Sequence, residues 1–244
     1  MNLDGQNVLI TGSAVRLGRA IALELAGAGA NILIHYRKSA REARSLQKEV
    51  EALRCCAFLC PFDFGNASLS KIRSFVKNLP APVDVLVNNA AIYYPTPAAK
   101  MTEAQWDDFL TINLKSPVLL ARELGLQMAK RKEGVIINMA DIAGEKPFLN
   151  YLPYSISKAG MIAATRGLAK ELAPFVRVNA VAPGPILEPP HGFASLAQKK
   201  KIAEATLLKR FGNSDHIASA VRFLIENDFV TGQVLAVDGG KSIT

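Results

Sequence analysis

Short apolar runs alternate with stretches of helical periodicity along almost the whole chain. Val8-Leu9-Ile10, Ile32-Leu33-Ile34, Cys55–Cys60, Val83–Val87, Val135-Ile136-Ile137, Val176–Val181 and Val234–Val237 are apolar runs, most of them continuous, with Asp84, Arg177 and Asn179 the polar exceptions. Continuity means burial on both faces, as parallel strands covered by helices require. Between the runs lie Leu17, Ile21, Leu25 and Ala28, then Ala43, Leu46, Val50 and Leu53, each set on one helical face. Seven strands alternating with helices predict an α/β fold, a doubly wound parallel sheet with helices on both faces. No Pro/Gly linker or internal repeat divides the chain, so residues 1–244 read as one domain. The longest break in the pattern starts at Pro183 and is rich in Pro and Gly. Loops of that length are more often functional than not, and ligands of such sheets sit beyond the carboxyl ends of the strands. A lid at about 184–200 is therefore expected.

Composition narrows the class. With 244 residues, 50% of them hydrophobic, the chain can bury a sizeable core without disulfides or metals, and a disordered chain is excluded. No apolar run approaches the roughly 18 residues of a membrane helix; Glu24 interrupts the best stretch, 20–34. Asn2-Leu3-Asp4-Gly5-Gln6 lacks the basic region of a signal peptide, so an unexported, cytoplasmic protein is expected. The net charge is +8, but the basic residues are scattered. The two runs, Lys130-Arg131-Lys132 and Lys199-Lys200-Lys201, read as solvated faces or helix C-termini, and no nucleic-acid partner is expected. Cys55, Cys56 and Cys60 are odd in number and lack a nearby His, which argues against a disulfide framework and a metal site. They read as reduced thiols on a buried strand.

Candidate chemistry sits at the strand ends. After the first strand, Thr11-Gly12-Ser13-Ala14-Val15-Arg16-Leu17-Gly18 leads into a helix, the context of a dinucleotide-binding turn. Read alone, Gly12 and Gly18 could simply make a tight turn, but that leaves Arg16 unexplained. Its cation suits a cofactor phosphate or a substrate facing it. The second strand ends in His35-Tyr36-Arg37-Lys38-Ser39, with no acid before Glu42. An ordinary solvated strand end would look similar; after a glycine turn, two cations and a hydroxyl suit the 2′-phosphate of NADP(H). Asp63 is placed to accept from an adenine amino group, and Asn88-Asn89-Ala90-Ala91 to line the adenosine half.

Tyr154 and Lys158 lie four residues apart, one turn along the same helical face. A phenol with a pKa near 10 is a poor proton relay at neutral pH. A neighbouring ammonium and the positive ring of an oxidised nicotinamide both favour phenolate and are expected to pull that pKa towards the working range.

Together these residues resemble the short-chain dehydrogenase/reductase family, through TGSAVRLG, NNAA, Asn113, YSISK, Pro183-Gly184 and Val237-Asp238-Gly239-Gly240. The resemblance implies a single Rossmann-fold domain using NADPH/NADP+. It implies Tyr154 as acid/base and Lys158 as its tuner and as holder of the nicotinamide ribose, with Asn113 helping to hold a relaying water. Cofactor contacts are implied at Gly12, Arg16, Leu17 and Gly18, and at His35, Tyr36, Arg37, Lys38 and Ser39. Further contacts are implied at Asp63 and Phe64, at Asn89, Ala90 and Ala91, and at Pro183, Gly184 and Ile186. The helix opened by Tyr154 and the Val237–Gly240 tail resemble oligomer interfaces, which implies a homotetramer.

One position departs from the ketone-reducing members. A serine is expected thirteen residues before the tyrosine, and this chain has Asp141. An ionised carboxylate would repel a developing alkoxide, whereas it can orient Tyr154 and assist proton delivery to a ring nitrogen. The chain resembles the pteridine reductases in GSAVRLG, HYRKS, NNAAIYYPTP and Asp141/Tyr154/Lys158. That subgroup implies a pterin sandwiched between nicotinamide and Tyr93, with Arg16 at its edge. The reading is NADPH-dependent reduction of a dihydropterin, biopterin, monapterin or folate in type. The alternatives are a carbonyl or 3-oxoacyl reductase, and a non-catalytic NADP-binding regulator.

Overall fold

The computed structural model of the protein describes residues 1–189, 192, 193 and 195–244. Seven parallel strands form one sheet in the order β3-β2-β1-β4-β5-β6-β7. They are β1 (Asn7–Ile10), β2 (Asn31–Tyr36), β3 (Ala57–Pro61), β4 (Val85–Asn88), β5 (Gly134–Met139), β6 (Val176–Pro183) and β7 (Val234–Val237). Strand order reverses between β1 and β4, whose register pairs Val8 with Val85 and Ile10 with Val87. That reversal opens a crevice at the carboxyl ends.

Helices α1 (Arg16–Gly27), α2 (Ala40–Ala52) and α8 (Ser214–Glu226) cover one face. There Ile21, Leu25, Leu46, Val221 and Leu224 pack against Val8, Ile10, Ile32 and Ile34. On the other face lie α3 (Leu69–Lys77), α5 (Ser116–Arg131) and α6 (Leu152–Leu172), where Ile72, Leu120, Leu124 and Leu172 meet Leu9, Leu33, Leu86 and Ile136. Successive strand residues thus enter opposite cores, which is why the runs are apolar without alternation. The remaining helices are α4 (Glu103–Leu110) and α7 (Leu196–Glu204).

Two expectations need correction. The Cys55–Cys60 run is not a buried strand throughout, because β3 begins at Ala57 and Cys56 is exposed, although all three thiols are free. β3 is an edge strand, and of the two residues before it Cys55 still packs against the core beneath α1 and α2. Ala28 and Leu53 are not part of a buried helical face, since each is the residue after its helix ends, and Leu53 is about half exposed. Lys130 and Arg131 close α5, as the macrodipole favours. The expected lid comprises the segment after β6 and the first residues of α7, and its Pro190, His191 and Ala194 lie outside the described residues. No described helix is long and apolar enough to cross a membrane.

Candidate active site

A cavity of about 960 Å³ opens at the carboxyl ends of the strands, and its walls carry most of the candidate residues. At one end is the glycine turn. Gly12 has φ +66°, and a Cβ there would meet Ala90 Cα at 3.1 Å. A Cβ on Gly18 would sit 2.4 Å from the Gly12 carbonyl oxygen, so α1 can approach the turn only at a glycine. Arg16 has φ +54°, a left-handed conformation that costs a non-glycine residue about 1 kcal/mol. Its guanidinium donates to the Glu188 carbonyl at 2.5 Å, tying the turn to the segment after β6.

α1 has no acid in its first turn, and Val15 at its N-cap offers no side-chain bond. Its first N–H groups are thus left for an anion. This cradle, with Leu17, Gly18, Asn89, Ala90 and Ala91 around it, fits the pyrophosphate of a dinucleotide. Arg37 lies in the same wall with Phe64 and Asp63, its guanidinium 3.8 Å from the Asp63 carboxylate. Asp63 Oδ1 also accepts from Gly65 N–H, so one oxygen is engaged within the chain.

Several expected contacts are placed elsewhere. Among the described residues of the wall, Tyr36, Lys38 and Ser39 are missing. Tyr36 packs against the core beneath α1 and α2, because alternate residues of a strand face opposite layers. Asn88 is buried below the site, donating to the Asn138 side chain at 2.9 Å and to the Pro117 carbonyl. Asn113 does not line the wall either. It lies in a π-helical turn, Thr111–Lys115, and its amide is spent on Ile92 N–H (2.9 Å), the Ile92 carbonyl (3.0 Å) and Ser157 Oγ (3.4 Å). Its side chain therefore anchors the segment that carries Tyr93.

The chemistry-bearing groups converge at the other end. Pro153 at the start of α6 sets its first turn, which puts Tyr154 and Lys158 on the sheet-facing side, both buried. Beyond β5, Asp141 caps a 3-10 turn, its Oδ1 accepting from Ala143 N–H at 2.8 Å. Its Oδ2 accepts from the Tyr154 hydroxyl at 2.7 Å. Lys158 Nζ donates to the Met139 carbonyl at 2.7 Å and lies 5.6 Å from the Tyr154 ring centre.

In the chain by itself, burial and then the Asp141 carboxylate hold the Tyr154 pKa well above 10. Burial raises Asp141 above the usual carboxylate range, although hydrogen bonds from Ala143 and Tyr154 and the charge of Lys158 oppose the shift. Burial lowers Lys158 to about 8, with Asp141 pulling it back up. Tyr154 thus rests as a neutral proton donor.

Aromatic rings border this centre. Tyr93 is edge-on to Tyr154 at 4.8 Å and stacked on Tyr151 at 4.6 Å with an interplanar angle of 10°. Tyr93 is therefore one plate of a three-ring cluster. Sequence reasoning missed Tyr151, although its place three residues before Tyr154 is a signal that could have found it. It also missed Phe148, Phe193 and Phe211, apolar residues on the cavity wall. Pro183, Gly184 and Ile186 line the cavity as expected.

Comparisons agree with this architecture. A family model described as enoyl-(acyl carrier protein) reductase matches residues 12–242. The 3-oxoacyl-[acyl-carrier-protein] reductase FabG of Staphylococcus epidermidis is 34% identical over 241 residues, covering 96% of this chain and 98% of that protein. A solved structure of a putative gluconate dehydrogenase from Agrobacterium tumefaciens superposes with a TM-score of 0.92 at 31% identity, covering 100% and 98% of the two chains. A blue fluorescent protein from a metagenomic library, in complex with NADPH, gives 0.88 at 31%, covering 99% of each. The FolM alternative dihydrofolate reductase 1 from Brucella canis, complexed with NADP, gives 0.88 at 30%, covering 100% and 97%.

Proposed function

The chain belongs to the short-chain dehydrogenase/reductase family, as an NADP-dependent oxidoreductase, and from that premise we propose that it reduces a ring C=N bond of a pterin. The observation that carries this reading is the 2.7 Å hydrogen bond from the Tyr154 hydroxyl to the Asp141 carboxylate. A carboxyl group at that position opposes the negative oxygen that forms when a ketone is reduced, but it suits a nitrogen that must gain a proton. The structural likeness to a FolM dihydrofolate reductase supports the same substrate class.

NADPH supplies the hydride to the ring carbon when bound. The chain supplies the proton. Tyr154, neutral at working pH, donates from its hydroxyl to the ring nitrogen, so that C=N becomes CH–NH. The buried Lys158 ammonium offsets the phenolate charge left behind. Asp141, which accepts from the Tyr154 hydroxyl, orients that proton and assists its delivery to the nitrogen. Tyr93, backed by Tyr151, offers a flat apolar surface beside Tyr154 on which a heteroaromatic ring can stack.

A second reading, reduction of a 3-oxoacyl carbonyl, is favoured by the curated relatives, which support it more strongly than they support pterins. It requires Asp141 to be protonated in the complex, where it would donate to the carbonyl oxygen. Tyr154, Lys158 and Asp141 are all present in hydrogen-bonded or charge contact, which supports turnover over a purely regulatory nucleotide-binding role. Exposed Leu152 and Ile156 on α6 support the homotetramer reading.

The test is NADPH consumption with dihydrobiopterin, dihydromonapterin and dihydrofolate beside 3-oxoacyl thioesters. Turnover of the pterins alone supports the first reading. Turnover of thioesters alone replaces it with the second.

A further inference from the structure

We propose that His35 is a positioning residue for NADP(H), acting through Gly12 and Phe62 to hold the glycine turn and the neighbouring loop in binding geometry. His35 is the penultimate residue of β2 and is only 3% exposed. Its Nδ1 accepts from the Gly12 N–H at 2.9 Å, and its Nε2 lies 3.1 Å from the Phe62 carbonyl. A carbonyl only accepts, so Nε2 carries the proton and Nδ1 the lone pair. The two bonds therefore select one neutral tautomer. Burial favours the same state, lowering the imidazole to about 4 against the smaller opposing effects of the Phe62 carbonyl and Asp63.

The grip on the turn is double. While the ring takes the Gly12 N–H, the His35 main-chain carbonyl accepts from Ser13 N–H at 3.0 Å. From the opposite side, Asn89 Nδ2 donates to the carbonyls of Thr11 (2.8 Å) and Gly12 (3.2 Å). The Gly12 N–H is thus committed to the imidazole, and the first amides of α1 remain for the pyrophosphate. The other half of the ring faces the next strand end. Phe64 lies 4.7 Å from the imidazole centre and also lines the cavity, beside Asp63 and its Arg37 partner. One buried side chain thereby sets the distance between the phosphate cradle and the Phe62–Asp63–Phe64 wall. An apolar replacement would leave the Gly12 N–H buried without an acceptor and the two walls unlinked.

Three measurements on the full chain test this. In ¹⁵N-histidine-labelled protein, with the resonance assigned by its loss in H35N, the Nδ1-unprotonated, Nε2-protonated tautomer is expected at pH 7. The opposite tautomer, or an averaged one, overturns the proposal. NADPH affinity is then measured by fluorescence titration, with KM and kcat, for His35→Leu and His35→Asn. His35→Leu is expected to raise Kd and KM for NADPH about tenfold or more, with kcat at saturation within about twofold. Asparagine places an acceptor oxygen near the Nδ1 position, so His35→Asn is expected to recover most of the affinity. An unchanged NADPH Kd in His35→Leu, or no rescue by asparagine, overturns the proposal. A merely structural role would lower thermal stability in both variants and leave the Kd of the folded fraction where it was. Failure of the wild-type protein to bind NADPH would be seen separately, before any variant is made.

Discussion

The Tyr154 hydroxyl donates to Asp141 Oδ2 across 2.7 Å, joining the first turn of a helix to the loop after β5. This bond leaves the phenol proton directed at a carboxylate instead of at solvent. It also couples two groups whose pKa values are both raised, chiefly by burial. A donor held in line by a carboxylate is oriented for transfer, and the first prediction concerns what happens when the carboxylate is removed.

Asp141→Ser is expected to lower kcat for dihydropterins by about ten- to a hundredfold, within the usual range for losing assistance in proton transfer. It is also expected to raise turnover of 3-oxoacyl substrates, because a hydroxyl can donate to a developing alkoxide. Steady-state kinetics on both substrate classes checks this, and unaltered pterin turnover would sink the nitrogen-protonation mechanism.

Arg37→Ala is expected to raise KM for NADPH about tenfold while leaving KM for NADH nearly unchanged, the loss of one charge-assisted contact to a phosphate. Lys38→Ala is expected to do little, since Arg37 lines the cavity wall and Lys38 does not. Comparable effects on NADPH and NADH would show that Arg37 does not recognise the 2′-phosphate.

Lys158 titrates at about 8, lowered by burial. The charge beside Tyr154 is lost as pH rises through that value, so kcat is expected to fall with an alkaline limb near pH 8. Lys158→Arg, which keeps its cation beyond pH 12, should lose activity through altered geometry yet show no limb there. A limb that persists in this variant would assign it to another group.

His35 gives a stability prediction of definite sign. Its folded pKa of about 4 lies below the ordinary imidazole value of 6.5, so below that value the unfolded chain binds more protons than the folded one. Stability is full above pH 6.5 and falls as pH drops towards 4, by up to about 3 kcal/mol. Asp63 and its Arg37 partner are the charged groups beside the ring. Denaturant unfolding at pH 7, 6, 5 and 4.5 should show this slope in the wild type. The difference between the wild type and His35→Leu should shrink as pH falls.

Tyr93→Leu is expected to raise KM for a pterin by about three- to tenfold through loss of ring stacking. Its effect on NADPH affinity should be small. An equal rise for an open-chain 3-oxoacyl substrate would argue against the ring acting as a platform for a flat heterocycle.

Much of this was legible along the chain because it rests on local constraints. Continuous apolar runs at Val8–Ile10, Ile32–Ile34 and Val135–Ile137 can be satisfied only between two helical layers, so they read directly as central parallel strands. Gly12 and Gly18 are demanded by a close approach that no side chain permits, and Tyr154 and Lys158 share a face because a helix repeats every 3.6 residues. Asp141 was recognisable as a departure because it stands where a hydroxyl is expected.

The tertiary structure decided which neighbours each of these groups meets. Strand alternation turned Tyr36 into the core and kept Arg37 at the cavity, a parity that apolar pattern alone does not settle at a strand end. Asn113 spends its amide on Ile92, and Tyr151 stacks under Tyr93, through contacts between segments far apart in sequence. The protonation of Tyr154 is the clearest case. From spacing, an ammonium four residues away should lower its pKa; in the folded chain, desolvation and Asp141 raise it. Spacing along a chain specifies who can be near, but the free energy of a charge depends on how much water the whole fold removes from around it.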